Sequence, residues 1–298
     1  MKGFYRCAEY MRLARPEQWV KNLFVLAGPL FGMRLLSPKD VALSAAGFAA
    51  FCILSSGVYA LNDWADRETD STHPTKKTRP IPSGAVSPAG ALTFGILLVF
   101  IGLAASLALS PFFGLIALAY LALNILYSLA LRRMVILDVL SVAIGFLLRA
   151  IAGAVLVRVS FSHWLLLATL FLALLIALAK RRQELALMGE GARNHRETLG
   201  RYSPGLLDNL ITASATLSIL TYALYTVSPE TVSRLGNDWA VWTTPIVVYA
   251  VFRFVYLVEK RGESPDRVIL RDPGIIVSVL IWAAAMFTII YWRFVRGG

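Results

Sequence analysis

The stretch from 41 to 70, VALSAAGFAAFCILSSGVYALNDWADRETD, joins an apolar run directly to a cluster of aspartates. Positions 41–62 contain no charged residue. A run of about 18 or more mostly apolar residues predicts a transmembrane helix. Asp63, Asp66 and Asp70 follow where this run ends. The stretch therefore predicts an all-α integral membrane protein with its chemistry at one membrane surface.

The same composition continues through the chain, since 57% of its residues are hydrophobic and only 16% are charged. Soluble domains normally carry about a quarter charged residues. Nine apolar segments are predicted to cross the membrane, at 19–36, 41–62, 87–109, 112–131, 135–157, 161–179, 206–228, 239–258 and 273–294. The first is short, so a partly interfacial placement stays open. We expect one polytopic domain, 1–298, with cytoplasmic cap segments at 63–86, 180–205 and 259–272.

The positive charges are distributed unequally between the two sides of these segments. Of the 29 lysines and arginines, 21 fall on the side of the N-terminus and six on the other side. Cytoplasmic loops accumulate Lys and Arg, so the N-terminus is predicted inside and the C-terminus outside the cell membrane. The same asymmetry explains the net charge of +11, which therefore does not indicate a nucleic-acid partner.

The three aspartates have a spacing that suits a metal ion. Steps of three and four residues place Asp63, Asp66 and Asp70 on one face of a continuing helix. Their carboxylates repel one another unless a cation lies between them, and oxygen ligands of this kind suit Mg²⁺. The alternative is an acidic face neutralised by neighbouring Arg and Lys. Because polar groups at the end of a membrane helix usually mark function, we favour a Mg²⁺ site.

The loop after the aspartates is basic and contains prolines. Lys76, Lys77 and Arg79 can neutralise phosphates, and arginine can bind a phosphate through two parallel hydrogen bonds. Pro80 and Pro82 disfavour a helix there. A loop that is basic only because it is cytoplasmic is the competing interpretation. Because the loop follows the aspartates directly, we favour the interpretation that it binds phosphate.

The string N-D-x-x-D-x-x-x-D at 62–70, followed by K-x-R-P-I-P-S-G at 77–84, resembles the UbiA-type intramembrane prenyltransferase superfamily. The resemblance implies nine transmembrane helices around a central cavity, with Mg²⁺ and a substrate diphosphate bound at the cytoplasmic face. The usual members carry a second aspartate-rich motif between helices six and seven. Here that stretch begins Lys180-Arg181-Arg182, which cannot chelate Mg²⁺ but can hold another anion.

Three further segments resemble one branch of this superfamily, the decaprenyl-phosphate phosphoribosyltransferases. They are RPEQWVKN at 15–22, LRAIAG at 148–153, and Lys180 and Arg181 followed by Glu184. The resemblance implies transfer of a 5-phosphoribosyl group from phosphoribosyl pyrophosphate to a polyprenyl phosphate, with release of pyrophosphate, for envelope polysaccharide precursors. The candidate substrate-binding residues are Lys21, Asn22, Asn62, Tyr127, Arg149, Lys180 and Arg181.

Arg149 lies inside an apolar segment, where a charge is costly unless it is paired or lines a wet cavity. A structural pairing with Asp138 or with a backbone carbonyl is the alternative to substrate binding. Asp138 lies eleven positions earlier, about three helical turns away, so a pair within one helix is geometrically implausible.

Two other functions remain open at this stage. A UbiA-type prenyltransferase acting on an aromatic or haem acceptor would use the same first aspartate motif but a prenyl diphosphate as donor. A transporter would gather charges near the midplane of the membrane. The charges of this chain gather on one face instead, which disfavours transport.

Overall fold

The computed structural model describes residues 2–72, 76–188, 198–261 and 264–296, and these ranges contain helices and no strand. The α-helices, numbered in chain order, are α1 Lys2–Ala14, α2 Ala27–Phe31, α3 Pro38–Ala65, α4 Arg67–Ser71, α5 Pro88–Leu109, α6 Pro111–Leu129, α7 Leu137–Leu156, α8 His163–Met188, α9 Pro204–Val227, α10 Pro229–Leu235, α11 Thr244–Arg261, α12 Pro265–Arg271 and α13 Pro273–Arg296. Short 3₁₀ helices occupy Lys76–Thr78, Leu131–Arg133, Leu199–Arg201 and Trp239–Thr243, and a longer one occupies Pro16–Leu26. The prediction of an all-α protein is confirmed.

Eight helical segments in the described ranges are long and apolar enough to cross a membrane. They correspond to the second to ninth predicted segments, and the chain is a multi-pass membrane protein. Several begin with a serine followed by proline: Ser37, Ser87 and Ser203 each accept a hydrogen bond from the backbone N–H three residues later. This is the usual start of a helix, with a serine cap and proline in the first turn.

The first predicted segment, 19–36, does not form one continuous α-helix, so a ninth long membrane helix is not confirmed in the described ranges. A 3₁₀ helix covers Pro16–Leu26 and α2 covers only Ala27–Phe31. Pro29 has no N–H to donate to the carbonyl of Val25, so an α-helix loses a bond there. That carbonyl instead faces Gly153 of α7, where an added Cβ would lie 1.7 Å from the Val25 oxygen. The close approach of the two backbones keeps the segment out of regular α-helical geometry.

The interrupted segment nevertheless runs the length of α3. Arg15 before it pairs with Asp63 near one end of α3, and Arg34 after it pairs with Asp40 near the other end. Asp40 and Asp63 are 23 residues apart on the helix, about 35 Å at 1.5 Å per residue. A 3₁₀ helix rises about 2.0 Å per residue, which helps the 19 steps from Arg15 to Arg34 cover this distance.

The chain divides into two compact units, of which unit 1 comprises Met1–Ser128 and Leu148–Val159. Its main core surrounds Phe51 and Phe113, whose rings meet edge to face with centroids 5.5 Å apart. Helix α3 packs closely against α5 because Gly57 and Gly102 leave no side chain between the backbones. A smaller cluster around Leu13 and Ile81 packs the end of α1 beside the segment that follows the aspartates.

Unit 2 comprises Leu129–Leu147 and Ser160–Gly298. Its core is built by α8, α9 and α11, with Leu175, Leu178 and Leu207 fully buried. An ion pair between the half-buried Arg253 and the buried Asp272 fixes the start of α13: Asp272 accepts hydrogen bonds from Arg253 Nε at 2.5 Å and Nη2 at 3.0 Å. These bonds lower the pKa of Asp272 to about 2, so its carboxylate stays charged.

The predicted cap segments contain short structured pieces. The first holds α4, the 3₁₀ helix Lys76–Thr78 and a turn in which Val86 N–H donates to Pro80 O, so no helix forms at the two prolines, as predicted. The second begins as an extension of α8 to Met188, and its residues 189–197 lie outside the described ranges. The third contains α12.

Substituting Gly153 by valine is expected to disrupt unit 1. A Cβ at this position would meet backbone atoms of Val25 that cannot move without displacing the first segment. Overpacking costs about 1–3 kcal/mol and more where backbone is involved. Thermal unfolding in detergent should show a lower transition temperature. Gly205→Ala is the control, because a Cβ there meets nothing within 4 Å; an equal effect of both substitutions would contradict the argument.

Candidate active site

The aspartate motif lies where α3 ends and α4 begins. The helix is interrupted at Asp66, whose φ of −89° and ψ of 2° leave the α-helical region, so the expected continuous helix was wrong in this detail. The helical bonding pattern still passes through, since Asp66 N–H donates to Asn62 O and Asp70 N–H donates to Asp66 O. Asp63 and Asp70 are buried, with 4% and 2% of their surface exposed, and Asp66 is half-buried.

One arginine joins the two buried aspartates. Nη1 of Arg79 donates to Asp63 Oδ1 at 2.9 Å and to Asp70 Oδ2 at 2.5 Å. Asp63 and Asp70 therefore converge on a single position, as their spacing in the sequence predicts. Arg79 comes from the segment after α4, held in place by the turn from Pro80 to Val86.

Two further cations complete the charge balance. Arg15 Nη2 donates to Asp63 Oδ1 at 2.5 Å, and Lys76 Nζ lies 3.6 Å from Asp70 Oδ1. Lys77, the other lysine of the predicted phosphate-binding set, is exposed. The buried carboxylates are thus paired with cationic side chains of the same unit, which offsets part of the cost of removing them from water.

The donor set fits a divalent cation. Within the described ranges, no three acidic, histidine or cysteine side chains already surround a common metal position. Arg79 Nη1 instead holds the position between Asp63 and Asp70. Asp63 Oδ2 accepts no hydrogen bond from the residues that the structure describes. Carboxylate oxygens that converge on one cationic group are the ligands that Mg²⁺ prefers, so these residues can hold it once Arg79 moves.

A second polar cluster lies inside unit 1, on α7 and the first segment. Arg149 is buried with 4% of its surface exposed; its Nε donates to Asn22 Oδ1 at 2.7 Å and its Nη2 donates to Tyr120 OH at 2.8 Å. The guanidinium also lies over the Tyr120 ring, 4.5 Å from its centroid. The described partners of Arg149 are thus Asn22 and Tyr120, and Asp138 forms an ion pair with Arg181.

Asn22 is fully buried and orients Arg149. Its amide Nδ2 donates to Ser55 Oγ at 3.0 Å and to Cys52 Sγ at 3.3 Å, which turns its oxygen toward the guanidinium. Trp19, earlier in the same segment, donates to Ser56 Oγ at 2.9 Å. Asn22 contacts Arg149 as part of a fixed network, a role that the sequence alone did not indicate.

The remaining unit 1 candidates have simpler surroundings. Asn62 Oδ1 accepts a hydrogen bond from Ser128 Oγ at 2.7 Å, which links the end of α3 to the end of α6. Lys21 and Tyr127 are half-buried. These positions stay predictions as substrate contacts.

The candidates in unit 2 have different environments. Lys180 is exposed on α8, which continues beyond it to Met188. Arg181 is buried and pairs with Asp138 at 2.9 Å and Glu184 at 2.5 Å. Tyr202 OH donates to the other oxygen of Asp138 at 2.7 Å and accepts from Ile136 N–H at 2.8 Å. Burial and the bond to Asp138 raise the pKa of Tyr202 well above its ordinary value. Arg181 therefore has a structural partner that the sequence analysis did not assign to it.

Asp138→Ala is expected to lower the stability of unit 2 far more than Asp208→Ala. Breaking a buried ion pair by removing one partner costs about 3–5 kcal/mol, because a buried charge loses its partner. Asp208 pairs with the neighbouring Arg182 at the surface, where a pair is worth about 0–1 kcal/mol. Unfolding of both variants in detergent measures the difference. Equal losses would mean that the pair of Asp138 with Arg181 is not an important buried contact.

Four members of these clusters were not predicted from the sequence: Arg15, Tyr120, Asp138 and Tyr202. A signal was present for Arg15, which stands in the polar segment RPEQWVKN before an apolar run, and for Asp138, which opens an apolar segment. Polar side chains beside or inside membrane segments usually have a partner. Neither signal identifies that partner, because each contact joins residues more than 40 positions apart.

Comparison with known proteins agrees with this arrangement. The model of the UbiA prenyltransferase family matches residues 23–277. Decaprenyl-phosphate phosphoribosyltransferase of Mycolicibacterium smegmatis is 31% identical over 293 residues, 95% of this chain and 92% of that protein. The protein of the same name from Corynebacterium glutamicum is 33% identical over 94% of this chain and 86% of its own length. A UbiA homolog from Archaeoglobus fulgidus, solved with GPP and Mg²⁺ bound, has the same fold, with a TM-score of 0.71, 20% identity, and coverage of 95% of this chain and 99% of its own.

Proposed function

This chain belongs to the UbiA prenyltransferase family, and we propose that it transfers the 5-phosphoribosyl group of phosphoribosyl pyrophosphate to a polyprenyl phosphate such as decaprenyl phosphate, releasing pyrophosphate. The observation that carries the proposal is its similarity, over 94–95% of the chain, to decaprenyl-phosphate phosphoribosyltransferases. The basic stretch Lys180-Arg181-Arg182, in place of a second aspartate motif, supports the same choice. The product would serve envelope polysaccharide synthesis.

Asp63, Asp66 and Asp70 would hold Mg²⁺ together with the pyrophosphate of the donor. The metal supplies Lewis-acid stabilisation of the leaving group. Two observations support this assignment: the convergence of Asp63 and Asp70 on one cationic nitrogen, and the Mg²⁺ in the A. fulgidus structure of similar fold.

Arg79 and Lys76 would then exchange their contacts with the aspartates for contacts with the pyrophosphate. The exposed Lys77 would bind the pyrophosphate as well. Each of the first two now neutralises a carboxylate that the metal would neutralise instead. Their charges would stabilise the negative charge that develops as the bond from ribose C1 to the pyrophosphate breaks. Arginine suits this change because its fork binds carboxylate and phosphate oxygens alike.

The acceptor phosphate would attack ribose C1 from the face opposite the leaving group, inverting the anomeric centre. A phosphate is already anionic near neutral pH, so this attack requires no general base. Catalysis would rest on positioning and on preorganised charge. The remaining candidates are assigned as a set to the donor and lipid phosphates: Lys21, Asn22, Asn62, Tyr127, Arg149, Lys180 and Arg181. Within this set Asn22 would act through Arg149, which it orients.

We place this reaction at the cytoplasmic face of the cell membrane, with the N-terminus inside and the C-terminus outside. The excess of Lys and Arg on the side of the N-terminus supports this orientation. The path of the first segment along α3 supports it too. This segment adds one crossing to the eight long helices, and nine crossings place the two termini on opposite sides of the membrane.

Pyrophosphate release by the purified protein in detergent with Mg²⁺ tests the proposal. Phosphoribosyl pyrophosphate with a polyprenyl phosphate is one substrate pair, and a prenyl diphosphate with an aromatic acceptor is the other. Release with the first pair alone, giving a phosphoribosylated lipid, is expected. Release with the second pair alone would establish a prenyltransferase instead. This is the second candidate function, and the similar fold of the GPP-bound protein is the observation that favours it.

A further inference from the structure

We propose that Arg15 is a positioning residue: it anchors the Asp63 carboxylate at the end of α3 so that this carboxylate faces the position that the cation would take. The inference rests on the proposed function, because it concerns the metal ligands of that site. It gives a role to an arginine outside the aspartate motif and outside the basic loop that follows it.

The contacts of Arg15 single out one atom of Asp63. Arg15 Nη2 donates to Asp63 Oδ1 at 2.5 Å, and its guanidinium lies 5.6 Å from the centre of the Tyr59 ring, one turn earlier on α3. Asp63 Oδ2 accepts no hydrogen bond from the residues that the structure describes. A hydrogen bond to one oxygen restricts how a carboxylate can turn, so Arg15 limits the orientation of Asp63 toward the position that Arg79 Nη1 now occupies.

The backbone of Arg15 is adapted to this contact. Its φ of 53° and ψ of 62° are left-handed, an uncommon conformation for a residue other than glycine. Arg15 also precedes Pro16, which further restricts the conformations it can adopt. The chain changes here from α1 to the 3₁₀ helix, and the left-handed residue brings the guanidinium to the end of α3. Such conformations cluster at functional sites, where the surrounding structure maintains them.

Arg15 and Arg79 differ in what a bound cation would do to them. Arg79 Nη1 lies between the two aspartates and must leave if a metal takes that position. Of the two buried aspartates Arg15 contacts only Asp63, so it can remain in place while the metal binds. Without Arg15, the carboxylate could rotate and pair with Arg79 through both oxygens, which would make Arg79 harder to displace.

Binding of Mn²⁺ in the presence of inorganic pyrophosphate, followed by electron paramagnetic resonance on the full-length protein in detergent, tests this role. Arg15→Gln should weaken Mn²⁺ binding by about tenfold or more, the usual effect of losing a residue that orients a metal ligand. Its unfolding temperature should stay near that of the parent. Arg15→Lys should recover part of the affinity, and it serves as the test variant if Arg15→Gln does not fold. Arg34→Gln is the matched control, because Arg34 pairs with Asp40 near the opposite end of α3.

Two other results would overturn the proposal. Unchanged Mn²⁺ affinity with a lower unfolding temperature would mean that Arg15 only ties the N-terminal segment to α3. Tighter Mn²⁺ binding would mean that Arg15 only neutralises Asp63. Neither result depends on turnover. A parent protein that binds Mn²⁺ but does not use phosphoribosyl pyrophosphate would refute the proposed reaction and leave this role of Arg15 standing.

Discussion

Asp66→Asn is expected to remove nearly all pyrophosphate release at limiting Mg²⁺ while the protein still folds. Asp66 lies at the turn between α3 and α4, half-buried and between the two aspartates that converge on Arg79. An asparagine keeps the shape of the side chain but loses the negative charge that a metal ion requires. Removing one preorganised electrostatic group from an active site typically costs about 100-fold or more in kcat. Raising the Mg²⁺ concentration should restore part of the loss.

The control for this substitution lies on the same helix. Asp40→Asn removes a carboxylate near the opposite end of α3, where its partner Arg34 lies 3.8 Å away at the surface. This variant should stay within about twofold of the parent, because exposed pairs contribute little. Full activity of Asp66→Asn at limiting Mg²⁺, in a protein that unfolds at the parental temperature, would refute the assignment of the aspartates to a metal site.

Sequence patterns were sufficient for the parts of this protein that depend on local composition. The long apolar segments correspond to helices because a backbone in the hydrocarbon must satisfy its own hydrogen bonds. The aspartate motif was recognisable because its spacing matches a helical turn, and Asp63 and Asp70 do converge. The prolines after Arg79 predicted that no helix forms there, and the chain instead makes a turn from Pro80 to Val86.

The first segment shows where such patterns fail. Its composition is apolar enough for a helix, but the contact that reshapes it joins Val25 to Gly153, 128 positions later. Pro29 signals a missing hydrogen bond and does not show where the freed carbonyl turns. The resulting 3₁₀ geometry depends on tertiary packing that no local window contains. The same segment then carries Asn22 to Arg149, so this contact could not be predicted either.

The cations illustrate a second limit. From the sequence, Arg79 was assigned to phosphate beside the aspartate motif, and Arg181 was assigned to an anion in the basic stretch that replaces the second motif. In the structure each of them pairs with aspartate, Arg79 with the motif itself and Arg181 with the buried Asp138. Composition reveals that charges are present but not how they pair. For Arg181, the buried partner favours a structural role in addition to any contact with substrate. For Arg79, the pairing suggests that the guanidinium exchanges a carboxylate for a phosphate when the donor binds.

Arg79→Gln is expected to separate metal binding from turnover. The arginine now occupies the position between Asp63 and Asp70, so a metal ion that binds without the phosphoribosyl donor must compete with it. Removing its charge should tighten the binding of Mn²⁺ alone severalfold, since two buried carboxylates would lose a counter-ion. The same change should lower kcat by about 100-fold or more, because the guanidinium is needed to stabilise the leaving pyrophosphate. Mn²⁺ titration and pyrophosphate release, measured on one preparation, give both quantities.

A neighbouring arginine provides the control for this pair of measurements. Arg67 pairs with Glu68 and donates to the carbonyl of Trp64, without a hydrogen bond to the aspartates of the motif. Arg67→Gln removes the same charge a short distance away and should change neither quantity by more than about twofold. If Arg79→Gln weakened the binding of Mn²⁺ alone, Arg79 would be a fixed support for the metal ligands. If both variants tightened it equally, the effect would come from the overall charge of the surface. Tighter Mn²⁺ binding together with a lower kcat in Arg79→Gln alone is the result expected of an arginine that exchanges a carboxylate for a phosphate. Such an arginine pairs with the aspartates before the metal and the donor bind, and with the pyrophosphate afterwards.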